Sequence, residues 1–245
     1  MMAAAARQEC ISRTVLTQHA AMRSHRGAGS AVDPNCGMGY LAPVRQLGAS
    51  VLLNQLDPFI LDNYEVHEWR HATAVLGADF PAEFADIQAI LCEFRLYRSR
   101  VLAPGGRKSD IAGWIDGKFS ARGWREKKFK TQLRVDEHVM DTPTHKVDCV
   151  KSRIALEIEW NNKDPFYDRD LNNFRLLFDL RAISVGVIIT RCSELQGIFN
   201  ALDKGSSYGN STTHMAKLLP RIEGGSGGGC PLLVFGIKPS LYVED

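Results

Sequence analysis

No stretch of this 245-residue chain holds the roughly 18 uninterrupted apolar residues that a membrane-spanning helix requires, so the chain reads as a soluble protein with no membrane partner. Cysteine is never paired at short spacing. The six residues, at 10, 36, 92, 149, 192 and 230, offer no C-x-x-C metal or redox pair, and reduced thiols in a cytoplasm are the simplest expectation. There is no G-x-S-x-G, no H-E-x-x-H and no dinucleotide fingerprint, and the glycine-rich stretch 224–229 lacks the G-K-[ST] of a phosphate-binding loop and reads as a connector. Acids are scarce in residues 1–50, where Glu9 and Asp33 stand alone among Ala, Gly, Ser and Arg. Residues 1–55 are therefore expected to be a poorly ordered N-terminal extension, compatible with a transit peptide, a basic arm or an over-long start, and 56–245 to form the folded domain.

What is present is ordinary for a globular domain: 44% hydrophobic and 24% charged residues, enough for one sizeable core. The formal charge is only +2, but it is unevenly spread. Residues 100–134 hold ten Lys and Arg against Asp110, Asp116 and Glu126, a local excess of 10 − 3 = +7. Such a stretch is the footprint expected for a polyanion partner, although basic surface helices also serve solubility.

Apolar periodicity supplies the elements. Phe84, Ile87, Ile90, Leu91 and Phe94 recur at three and four, predicting a helix that starts near Asp79 and Pro81. Ser109 suits the N-cap of a second helix carrying Ile111, Trp114, Ile115 and Phe119 to the core and ending at Gly123. Residues 153–160 (RIALEIEW) alternate, with Ile154, Leu156, Ile158 and Trp160 on one face and Arg153, Ala155, Glu157 and Glu159 on the other. An amphipathic helix over 168–182, started by Asp168 or Asp170, and a continuous apolar strand at 183–190 follow. Strand, helix and buried strand make a βαβ crossover, so part of the sheet should be parallel; 231–238 adds a last buried strand.

The chemistry lies in Asp148, Glu157 and Glu159, spaced D-x8-E-x-E. Glutamates at i and i+2 of a strand share one face with Cα atoms roughly 6.5–7 Å apart, and their repulsion must be relieved by solvent, by Arg or Lys, or by a cation. Solvated acids on an edge strand are a common guard against aggregation. Asp148, at the end of a polar turn leading into the strand, favours the cation instead. An oxygen-ligand set of this kind suits Mg²⁺, and an Asp some ten residues before an E-x-E strand is the layout of metal-dependent nucleases.

The stretch VDCVKSRIALEIEWNN resembles the active-site hairpin of type II restriction endonucleases of the BglII/BstYI family, within the PD-(D/E)xK nuclease fold. GGRKSDIAGWIDGKFSARGWRE, ISVGVIITR and CPLLVFGI extend the likeness on either side, and NYEVHEWR extends it weakly to residue 63, covering about 63–238. The resemblance implies an α/β fold with a central mixed sheet flanked by helices, and Mg²⁺-dependent cleavage of double-stranded DNA at a short palindrome, with a GATC-like core. It further implies a homodimer, because a palindrome read by a small domain demands matching two-fold symmetry. Helices 109–122 and 168–182 are candidates for the dimer contact or the DNA cleft.

By the same resemblance, Asp148 and Glu157 match the family's metal-binding acids. Glu159 falls where the wider fold has Lys and this family usually Gln; Glu occurs there in related BamHI-type enzymes. It could orient or deprotonate the attacking water. Glu126, or else its neighbour Lys127, would complete the catalytic set. Asn161 and Asn162, in the loop after the strand, are candidates for adenine contacts, though Asn also starts turns. Lys163, Arg169, Lys127 and Lys128 would touch phosphates, and Ser207 lies in a later DNA-reaching loop. His138 and His145 receive no role. A repair or recombination nuclease would share these catalytic residues, whereas a non-catalytic DNA-binding module would have no need of all three acids.

Overall fold

In the computed structural model, which describes residues 55–104, 108–142 and 144–245, the centre of the protein is built from strands whose two faces are both apolar. The expected N-terminal extension, apart from Gln55, lies outside the described residues. The chain opens with α1 (Pro58–Asn63), capped by Asp57, and β1 (Tyr64–Trp69), followed by α2 (Ala72–Asp79) and α3 (Pro81–Glu93). The single helix expected from Asp79 thus begins at Pro81, behind a separate shorter one. Phe94 is buried just past its end.

A short β2 (Leu96–Tyr97) and α4 (Arg98–Leu102) lead to α5 (Asp110–Ala121). Ser109 caps α5 as expected, its hydroxyl accepting from the Ala112 N–H at 3.2 Å. Ile111, Ile115 and Phe119 are buried, and Gly123 leaves the helix with a φ of +86°, a conformation open to glycine at little cost. The chain then forms β3 (Arg125–Lys128) and a separate hairpin, β4 (Thr131–Val135) with β5 (His138–Thr142).

The expected βαβ unit is present. β6 (Lys146–Lys151) turns back into β7 (Ile154–Ile158), α6 (Phe166–Asp179) crosses over, and β8 (Val185–Arg191) lies parallel to β7. A short α7 (Gln196–Ala201) and α8 (Met215–Glu223) return the chain to β9 (Leu232–Ile237), and β10 (Tyr242–Val243) pairs with β2. The main sheet runs β1-β9-β8-β7-β6-β3, parallel at its centre and antiparallel toward both edges. Among the described residues no helix is long and apolar enough to cross a membrane.

Period-two alternation explains the two cores. Ile154, Leu156 and Ile158 of β7 join Val187 and Phe235 against α3 and α5, while Ala155 joins Ile188, Val234 and Phe174 under α6 and α8. The β7 face carrying Glu157 and Glu159 therefore points into the second layer rather than to solvent. Each glutamate is 1% exposed. Solvated acids on an edge strand are excluded as an explanation, because β7 is an interior strand between β8 and β6 and both of its faces are covered.

Candidate active site

The acids meet where β6 and β7 part. Pairing ends at Cys149 with Leu156, and on its other side β6 is irregular: Arg125 pairs with Val150 but Lys127 with Val147, so Asp148 and Cys149 together oppose Glu126. A bulge of this kind re-aims a side chain. Here it lets side chains take over the ladder. The Asp148 N–H donates to Glu157 Oε2 at 3.2 Å, and the Ile158 N–H donates to Asp148 Oδ2 at 3.0 Å. The reciprocal bonds put side by side the two acids that the sequence marks for a metal.

Asp148 is half-buried and lines a cleft of about 520 Å³ shared with Arg100, Lys108, Asp110, Glu126 and Asn161. Glu126 is exposed on β3, where it lines the same cleft and pairs with Lys146 at 2.9 Å. Lys127 and Lys128 are exposed on the same edge strand, with the Lys127 ammonium 4.4 Å from the Phe129 ring centroid.

Beyond β7 the strand runs into a pinned loop. Asn161 has a left-handed backbone with a φ of +58°, and its buried Oδ1 has no hydrogen-bond partner among the described residues. Asn162 is engaged: its amide donates to Glu159 Oε2 at 2.9 Å, and its backbone exchanges bonds with Thr213. Of the two candidate base readers, Asn162 spends its amide N–H on Glu159, while Asn161 keeps a buried Oδ1 without a partner among the described residues. Lys163 bridges Thr212, and Ser207 is exposed near Tyr208, which stacks on Phe199 beside Trp160.

On the far side of Glu157 the structure adds residues that sequence reasoning did not place there. His145 Nε2 lies 3.1 Å from Glu157 Oε1 and 3.1 Å from Asp170 Oδ1. Arg169 donates to Asp170 at 2.8 Å and stands 3.5 Å from Glu159, so it serves this network rather than extending freely toward phosphate. Asp170 is not the helix start that its position suggested. It is fully buried one turn inside α6, and the signal was legible: Tyr167, Asp170, Leu171, Phe174 and Leu177 form one buried stripe, with a carboxylate in it. His145 carries no comparable mark.

Glu157, Glu159 and Asp170 thus share one buried pocket. Two carboxylates about 4 Å apart repel by about 4 kcal/mol at an effective dielectric of about 20, so the cluster persists only with counter-charge or with protons on some of its members. Burial holds Glu157 above the usual carboxylate range, opposed by its His145 hydrogen bond and reinforced by Asp170 and Asp148. Burial also raises Glu159, with the Asp170 charge next in size. Asp148 is raised by burial too, against the pull of the Ile158 N–H. For His145, burial works downward, but hydrogen bonds to Asp170 and Glu157 outweigh it and push the imidazole up to about 9. An imidazolium and one guanidinium then stand among four carboxyl groups, two of which, Glu157 and Glu159, burial pushes toward their protonated form.

No curated protein matches the sequence. The family model described as restriction endonuclease BglII/BglIII matches residues 64–237, from the first residue of β1 to the last of β9. The match spans all six strands of the main sheet and the acid-bearing hairpin within it. With that extent, the mixed α/β architecture is the PD-(D/E)xK fold, and the chain belongs to the BglII/BglIII family of restriction endonucleases, nucleases that act on DNA.

Proposed function

We propose that the protein is a type II enzyme that hydrolyses phosphodiester bonds of double-stranded DNA at a short palindromic site with Mg²⁺, acting in the cytoplasm as a homodimer. The observation that supports this most is the reciprocal bonding of Asp148 and Glu157 beside a cleft lined by Arg100 and Lys108, within the segment the family matches. The family implies a divalent metal, and these residues fit one: the donors are carboxyl oxygens, partly desolvated, whose burial a bound cation would offset.

Asp148 and Glu157 would hold the ion, which when bound polarises the scissile phosphate and lowers the pKa of a coordinated water. Once ionised, Glu159 accepts the proton of the attacking water, a task to which its raised affinity for a proton is suited, and Asn162 fixes the orientation of that carboxylate. Glu126, freed from Lys146, would approach from the β3 side of the cleft. Asn161, in the cleft wall, would turn its buried, unpaired Oδ1 to a base edge or a water on it. A palindromic target with a GATC-like core and a two-fold dimer complete the reading. Supercoiled plasmid incubated with the protein and Mg²⁺ should give discrete fragments whose mapped ends share one palindrome. Random degradation would favour a repair-type nuclease, and intact plasmid a binding module.

The exposed basic strand makes a second expectation. DNA affinity should fall steeply with salt, and replacing Lys127, Lys128 and Lys130 together by Ser should flatten the log–log slope by roughly 0.9 for each phosphate no longer neutralised. An unchanged slope in a salt titration would place β3 away from the DNA.

A further inference from the structure

We propose that His145, Glu157 and Asp170 form a second cation site, for a small transition-series divalent ion such as Zn²⁺ or Co²⁺, on the side of Glu157 away from Asp148. The spacing carries the argument. His145 Nε2 is 3.1 Å from each of Glu157 Oε1 and Asp170 Oδ1, and the three ligand atoms lie within 4.8 Å of one another. An ion with bonds of roughly 2.0–2.2 Å needs neighbouring donors roughly 2.9–3.4 Å apart, so the site nearly has that shape already. Ca²⁺, with bonds of roughly 2.3–2.6 Å, needs it wider.

The donor set selects further. One imidazole with two carboxylates suits zinc, cobalt or manganese, whereas Mg²⁺ prefers oxygen alone. An independent observation also points to a missing ligand: Asp170 Oδ2 is buried, in a side chain 0% exposed, and has no hydrogen-bond partner among the described residues. Its Oδ1 already takes the Arg169 guanidinium and His145, so Oδ2 is the oxygen left for an ion, and burying an oxygen with no partner is unfavourable. A way in exists, since His145 and Arg169 line a surface pocket of about 400 Å³ with Thr144 and Asn173.

Three protein ligands leave positions for water, as in open rather than closed metal sites. Because Glu157 offers Oε1 to this site and Oε2 toward Asp148, one carboxylate would serve two cation positions of different chemistry. The inference rests on the nuclease reading only for that contrast, and the metal titration that tests it uses no DNA.

The full-length protein is titrated with Co²⁺ in a large excess of Mg²⁺, following the visible absorption of the bound ion. Wild type and Asp148→Asn should both take up Co²⁺ at this site. His145→Gln should lose the signal and Asp170→Asn should weaken it at least about tenfold, with thermal melts reporting whether each variant is folded. Should neither fold, the proton spectrum of Co²⁺-loaded Asp148→Asn should show a strongly shifted imidazole N–H resonance, and its absence overturns the site. Uptake that survives both substitutions, or that disappears equally in Asp148→Asn, also overturns it. A protein that binds Co²⁺ as described yet leaves plasmid intact would instead refute the nuclease reading and leave this site standing.

Discussion

Asp148→Asn and Glu157→Gln are each expected to lower Mg²⁺-dependent DNA cleavage by about 10³-fold or more, the loss of several kcal/mol of charge stabilisation in the transition state. Both substitutions preserve shape. In Asp148→Asn the new amide oxygen can still accept from the Ile158 N–H, and in Glu157→Gln it can still accept from the Asp148 N–H, so the strand junction should survive. DNA binding measured in Ca²⁺ should persist or strengthen, since each change removes negative charge beside the scissile phosphate. Single-turnover rates on a cleavable duplex decide the matter, and undiminished cleavage by either variant would mean that the metal acids have been misassigned.

Glu159→Gln is expected to lower the single-turnover rate by about 10²–10⁴-fold with DNA affinity barely changed, the range typical of losing a general base. The side chain sits in a buried network, held by Asn162 at 2.9 Å and approached by Arg169 at 3.5 Å, so a neutral amide of equal size should fit without unfolding the loop. The competing role is metal ligation. A Gln oxygen still coordinates but attracts a cation less, so a weakened ligand would appear as a demand for more Mg²⁺ and be rescued at saturation. A rate that recovers at high Mg²⁺ therefore identifies a ligand, while a persistent deficit identifies the base. If neither the rate nor the metal demand changes, Glu159 has no part in the chemistry and belongs only to the buried network.

The residues that hold Glu159 show how local and distant information divide. The alternation of 153–160 is enough to set Glu157 and Glu159 on one strand face, because successive side chains of a strand must point to opposite sides. It does not show that this face is covered. That depends on α6 packing across β7, which brings Asp170 and Arg169 from the helix to the glutamates. The loop gives the same lesson in reverse: Asn161 and Asn162 look equivalent along the chain and both line the cleft, but the pairing of Asn162 with Thr213, 51 residues away, turns its amide to Glu159 and leaves the Asn161 Oδ1 without a partner among the described residues.

The main helices, the buried strands, the parallel crossover, the acids on β7 and the family likeness were all legible along the chain, because each rests on periodicity, caps or motifs within a few residues. Only packing in three dimensions makes β6 bulge opposite Glu126, bonds Asp148 and Glu157 reciprocally, and brings His145 and Asp170 to join them. The reason is physical. Local backbone preference sets which way a side chain points, but the charge balance of a buried carboxylate is set by whatever the fold packs against it, and those groups come from sequence positions that no local pattern connects.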